Sequence, residues 1–97
     1  MNTDICAAIA KRAIVQFTYD GGTRTVEPHA HGTSTAGNEV LRGFQTGGVS
    51  RSGEAVGWKL YTVSKMSAFR QAGQTFLSNR PGYNSNDEAM NVVHCHV

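Results

Sequence analysis

Residues 14–28, IVQFTYDGGTRTVEP, constrain this chain more than any other stretch. β-Branched and aromatic residues alternate with polar ones on both sides of an aspartate and two glycines. Such alternation turns one face of a strand inward and the other outward, and the glycines supply a tight reversal, so the stretch predicts a hairpin. Two registers compete. A turn at Gly21-Gly22 sets Tyr19 opposite Arg24 and Phe17 opposite Val26. A turn at Asp20-Gly21 sets Phe17 opposite Arg24 and Tyr19 opposite Gly22. Good cross-strand pairs contribute about 0.2–1 kcal/mol each, which favours the first register. Pro28, with no amide to donate, is expected to end regular pairing.

A chain of 97 residues makes one domain, which buries roughly 60–65% of the surface its unfolded chain exposes, so the core is thin. Upstream of the hairpin, NTDICAAIAKRA places Ile5, Ala8 and Ile9 on one side, with Thr3 or Asp4 to cap the start and Lys11 and Arg12 near the end. This predicts a short amphipathic helix over about residues 3–12 that must be laid on the strands. Downstream, HAHGTSTAG reads as a loop, NEVLRGFQT as a third strand, GGVSRSGEA as a second loop and VGWKLYTV as a fourth strand. SKMSAFRQAGQTF is a fifth strand or an anchoring turn. Residues 77–97 add a loop and a final edge strand. Apolar groups fall on both sides of the third and fourth strands, which suits a strongly curved sheet better than a flat one.

The formal charge of +2 does not announce non-specific DNA binding but leaves room for a local basic patch facing an anionic partner. Cys6 and Cys95 stand at opposite ends of the sequence, without a disulfide framework. They read as two free thiols in a reducing, cytoplasmic setting. The opening residues carry Asp4 ahead of Lys11 and Arg12, the wrong polarity for a secretory leader, and no run approaches membrane-spanning length, so no membrane is expected.

The order AIAKRAIVQFTY, TRTVEPHAHG, NEVLRGFQ and GWKLYTVSKMSAF resembles the WYL domain over roughly residues 4–76. FTY followed by R-x-V-x-P carries the better half, whereas VLR or EVL stands where the name-giving Trp-Tyr-Leu is expected. The resemblance implies a mainly β fold, a small SH3/Sm-like curved barrel of five to six strands with one N-terminal helix. It also implies a sensory module of the kind found in bacterial transcription regulators, one that binds nucleic acid or nucleotide-like anions and is not an enzyme. Carried over residue by residue, Tyr19, Arg24, Arg42, Lys59 and Lys65 are its ligand-binding positions. One helix occupies the residues before the first strand, so the module is expected to stand alone, without a DNA-binding helix-turn-helix.

Cations interleave with aromatics at these positions: Arg24 by Tyr19, Arg42 between Val40 and Phe44, Lys59 beside Trp58 and Tyr61. A guanidinium forks onto a phosphate while a ring stacks on a base, each contact contributing about 1–3 kcal/mol. The bland alternative is that these cations lie along the sheet and solubilise it. His29 is expected to donate a hydrogen bond to a ligand. Arg51, Arg80 and Tyr83 are expected loop contacts.

His29 with His31, and His94 with His96, each form an i,i+2 pair that a regular strand would project to one side, a two-ligand clip for zinc. Pro28 interrupts the first pair, the second lies at the end of the sequence, and neither matches an established zinc spacing, so no metal and no cofactor are expected. TGGVSRSGEAVG lacks the lysine and serine or threonine of a phosphate loop, and the carboxylates are scattered, so no enzyme chemistry is expected. The sequence thus points to a nucleotide or short nucleic acid as ligand, sensed by a bacterial regulator or sequestered as a defence signal by a viral protein, in a homo-oligomer. The competing reading is an adaptor or inhibitor docking on a host protein through the barrel edge and loops.

Overall fold

A computed structural model describes residues 2–50 and 53–97. Helix α1 (Asn2–Ala10) is followed by six strands: β1 (Ala13–Tyr19), β2 (Gly22–Ser34), β3 (Glu39–Gly48), β4 (Gly57–Thr62), β5 (Ser67–Thr75) and β6 (Met90–His96). A single 3-10 turn, Val63–Lys65, links β4 to β5, which settles residues 67–75 as a strand. All pairings are antiparallel, in the order β4-β3-β2-β1-β5, with β6 added along β2. The path ends at β4 and β5, so the sheet is open. No described helix is long and apolar enough to cross a membrane.

β2 organises the molecule. Its 13 residues carry β3 along one edge, and the other edge is divided between β1, paired from Gly22 to Val26, and β6, paired from Ala30 to Ser34. The sheet curls around a core of Ile5, Ile9, Val15, Phe17, Val26, Leu41 and Tyr61, with the buried face of α1 laid on it. Phe17 meets Tyr61 edge-on at 4.9 Å and stacks on Phe69 at 6.3 Å. Curvature is strong enough that the Thr62 amide at the end of β4 donates to the Tyr19 hydroxyl of β1 at 3.0 Å, although β3 and β2 lie between these strands in the sheet.

Three local expectations are corrected. The hairpin turns at Asp20-Gly21, pairing Phe17 with Arg24 and Tyr19 with Gly22. Asp20 has φ 50° and Gly21 φ 79°, and a two-residue turn with both central residues left-handed matches strand twist, a demand that Asp-Gly meets and that outweighs the cross-strand pairs. Pro28 does not end β2. It pairs with Gly43, the register shifts between Pro28 and Ala30, and a bulge is where a strand tolerates a residue without an amide. HAHGTS is accordingly strand rather than loop, with the reversal confined to the residues between Ser34 and Glu39.

The cysteines are corrected too. Cys6 of α1 and Cys95 of β6 form a disulfide, their Cα atoms 5.7 Å apart. The inference from free thiols to a reducing compartment therefore loses its ground. The bond ties the first helix to the last strand, adding a covalent link to the packing of α1 and to the ladder that joins β6 to β2.

Candidate functional site

The outer face of β2, β3 and β4 is covered by the segment that follows β5. Glu27 forks onto Arg80 at 2.7 and 3.0 Å, and the Arg80 guanidinium lies over the Phe44 ring at 4.6 Å. Arg42 forks onto Asp87 at 2.7 and 3.2 Å. Trp58 donates its indole N–H to the Pro81 carbonyl at 3.1 Å. Gly82, at φ 89°, lets the backbone pass within touching distance of that indole. Tyr83 then stacks on Trp58 at 6.1 Å.

His29 is the buried post of this arrangement. Its Nδ1 lies 2.8 Å from the Glu27 carbonyl, which requires the proton on Nδ1, and its Nε2 accepts from the Arg80 amide at 3.1 Å. Trp58, Phe76 and Tyr83 surround the ring at 4.8, 5.1 and 5.4 Å. Burial lowers its pKa, opposed by the Glu27 hydrogen bond and charge. His29 is thus neutral and fully engaged within the chain, and it has no donor left for a ligand.

Beside these contacts lies an open hollow of about 280 Å³ lined by Arg42, Trp58, Gly82, Tyr83, Asn84 and Asp87. It has two aromatic rings, a guanidinium, a carboxylate and an amide. The Arg42 hydrogen bonds hold the Asp87 carboxyl below its ordinary range, against the opposing effect of partial burial, so Asp87 is ionised and accepts. The hollow offers ring faces for stacking, donors from Asn84, and a cation whose present partner is a side chain on a loop.

Tyr19, Arg24, Arg42 and Lys59, expected as positions that bind one ligand, do not converge on one cavity among the described residues. Cross-strand pairing puts Arg42, Phe44, Trp58 and Leu60 on one face of β3–β4, and Lys59, Tyr61 and Gln45 on the other. Arg24 is buried within the curl, donating to Gln45 at 3.4 Å and to the Tyr19 carbonyl at 3.2 Å, with its guanidinium 5.5 Å from the Tyr19 ring centre. Gln45 also accepts from the Tyr61 hydroxyl at 2.7 Å, and burial raises the Tyr61 pKa. This polar chain stabilises the core. Lys59 donates to the Glu54 carbonyl at 2.7 Å, securing the second loop. Lys65 is exposed on the 3-10 turn, and Arg51 lies outside the described residues.

Of the sequence candidates, Arg42, Trp58 and Tyr83 are brought together, with His29 and Arg80 behind them. Sequence reasoning missed Asp87, Asn84 and Glu27. Asp87 and Glu27 stand 45 and 53 residues from the arginines they neutralise, and no local pattern announces such pairs.

No family model, curated protein or solved structure matches this chain.

A second cluster lies at the far end of β2. His31, fully buried, Glu39 of β3 and His94 of β6 bring two ring nitrogens and a carboxylate oxygen within 4.8 Å of one another. The histidine pairs expected from the sequence are thereby exchanged. His29 is the extra residue in the bulge between β2 and β3, and His94 is the extra residue in a bulge between β6 and β2. Each bulge re-aims its ring. His29 consequently parts from His31, and His94 joins His31, with ring centres 5.2 Å apart.

Proposed function

We propose that this chain is a non-catalytic binding module for a nucleotide or a comparable flat anion, held in the hollow between β3–β4 and the loop before β6. One observation carries the reading: Trp58, Tyr83 and Arg42 come from three separate segments to line a single concavity. Ring faces take a base by stacking, and a guanidinium is the side chain best shaped to fork onto a phosphate. The volume of about 280 Å³ suits one base and its sugar better than a longer oligonucleotide. A phosphate reaching Arg42 takes over the place of Asp87, which couples ligand binding to the loop that carries it. The same reading takes the curled, open sheet as a variant of the SH3-like barrel of WYL domains, acting as sensor or sequestering agent.

Trp58 is the only tryptophan, so its fluorescence reports directly on the hollow. A panel of mononucleotides and cyclic nucleotides is expected to include one that changes this emission and raises Tm. Trp58→Phe with Tyr83→Ala is expected to remove that rise in Tm while leaving the fold intact. A panel that moves neither emission nor Tm defeats the reading. Weak salt dependence is expected of a small pocketed ligand, and a steep one would redirect the assignment to oligonucleotide.

A second reading, docking on another protein or on a copy of this chain, is favoured by β6. Val92 and Val93 are 52% and 43% exposed there, on a strand that pairs with β2 alone, and an open edge invites a further strand. A mass that stays monomeric at high concentration would count against the copy.

A further inference from the structure

We propose that His31, Glu39 and His94 hold a divalent transition-metal ion, with zinc the best fit to two imidazoles and one carboxylate. This does not rest on the nucleotide reading. The argument begins with His31. Its Nδ1 lies 2.8 Å from the Val40 carbonyl, a contact that places the proton on Nδ1 and leaves the lone pair on Nε2. That Nε2 is buried and has no hydrogen-bond partner among the described residues. An unpaired buried acceptor is costly, and natural structures seldom keep one without a use. A ring nitrogen anchored on a backbone carbonyl, with the other left bare, is the arrangement that metal-bound histidines adopt.

The neighbours of that nitrogen are ligands by chemistry. His94 Nε2 lies 2.9 Å from a Glu39 carboxylate oxygen and 3.2 Å from the Thr33 hydroxyl. Thr33 donates to the other Glu39 oxygen, and Asn2 of α1 donates to Glu39 at 2.8 Å. Thr33 and Asn2 thus orient the carboxylate from outside the triad, as carboxylate ligands usually are. Zinc binds nitrogen and oxygen at about 2.0–2.2 Å, so ligand atoms around it lie about 3.3 Å apart. The three atoms lie within 4.8 Å of one another, so the widest gap has to close by up to about 1.5 Å, while the 2.9 Å His94–Glu39 contact opens by a few tenths of an ångström. His94 and Glu39, whose side chains are 35% and 32% exposed, can move that far by small rotations about the fixed His31.

Binding involves no electron transfer. The metal–nitrogen and metal–oxygen bonds form as the proton that His94 Nε2 shares with Glu39 leaves for solvent or moves to Nδ1. Three protein ligands leave a fourth position, toward the exposed side of His94 and Glu39, for water. Nothing in i,i+2 spacing predicts this triad. It needs the bulge at His94 and the pairing of Thr33 with Glu39 across β2 and β3.

The test uses the whole chain, disulfide intact, purified without a polyhistidine tag and stripped with a chelator. Titration with zinc chloride against a chromophoric chelator is expected to give one ion per chain. Cobalt chloride is expected to produce the visible absorption of a four- or five-coordinate site. His94→Gln and Glu39→Gln are each expected to weaken zinc binding about 10–100-fold with an unchanged far-UV spectrum. His96→Gln, two residues from His94 and outside the cluster, is expected to bind as the parent does. His31→Ala tests the buried ligand, and the two part-exposed variants decide the matter if it fails to fold. Absence of stoichiometric zinc, binding indifferent to both His94→Gln and Glu39→Gln, or equal affinity for magnesium would overturn the proposal.

Discussion

Two histidines stand two residues apart on β2, both fully buried, and the molecule uses them in opposite ways. His29 spends both nitrogens on backbone groups and is ringed by Trp58, Phe76 and Tyr83. His31 spends one and leaves the other bare beside His94 and Glu39. The difference teaches how to read a buried titratable ring. Full satisfaction marks a structural post, and a spare lone pair facing other donor atoms marks a site. Burial alone separates nothing, and the pKa of both rings is lowered, burial being the first cause in each.

The largest expected effect attacks what holds β6, and with it His94, next to His31. Cys95 stands opposite His31 and is bonded to Cys6, 89 residues away in sequence. Replacing both cysteines with alanine is expected to cost about 4–5 kcal/mol of stability, the chain-entropy value for so long a loop. Urea denaturation measures the loss. Hydrogen exchange is expected to show β6 and α1 losing protection before β1 and the first half of β2. Uniform loss across both halves would mean that His29 and His31 do not belong to separable neighbourhoods.

The middle-sized effect tests the comparison itself. His29→Leu strips partners from the Glu27 carbonyl and the Arg80 amide and is expected to cost about 2–4 kcal/mol. His31→Leu loses one hydrogen bond but also removes an unpaired acceptor, and is expected to cost about 1 kcal/mol in metal-free protein. Denaturation midpoints of the two variants check this. Equal costs would erase the distinction between post and site.

The smallest effect concerns the loop over the first neighbourhood. The Arg42 hydrogen bonds depress the Asp87 pKa below the ordinary carboxyl value of 3.8. A carboxyl depressed by folding contributes stability that is fully present above its unfolded pKa and is lost as pH falls through the folded one. Stability is therefore expected to fall off below about pH 4 through Asp87. Asp87→Asn is expected to flatten that acid limb while costing about 1 kcal/mol at neutral pH. An unchanged acid limb would detach the loop from Arg42.

Much of the fold was legible because alternation is a local property. α1, β3, β4 and β6 fall where their apolar spacing puts them, and the cationic and aromatic character of Arg42, Trp58 and Tyr83 is plain in the sequence. The hairpin register was legible too, in Asp20-Gly21, but the turn's demand for left-handed backbone was set below the weaker preference of cross-strand pairs. The bulges at His29 and His94 carry no comparable mark. Each inserts one residue into a ladder, and whether a strand bulges depends on which strand it meets.

By itself, then, the sequence determined a helix laid on a small antiparallel sheet with aromatic and cationic residues on its strands, since periodicity and turn chemistry act between near neighbours. Only the tertiary structure decided that Arg42 and Arg80 would be neutralised, that Cys6 would reach Cys95, and that His31 would face His94 instead of His29. Those outcomes depend on segments tens of residues apart being brought together, which the curl of the sheet and its bulges at His29 and His94 accomplish.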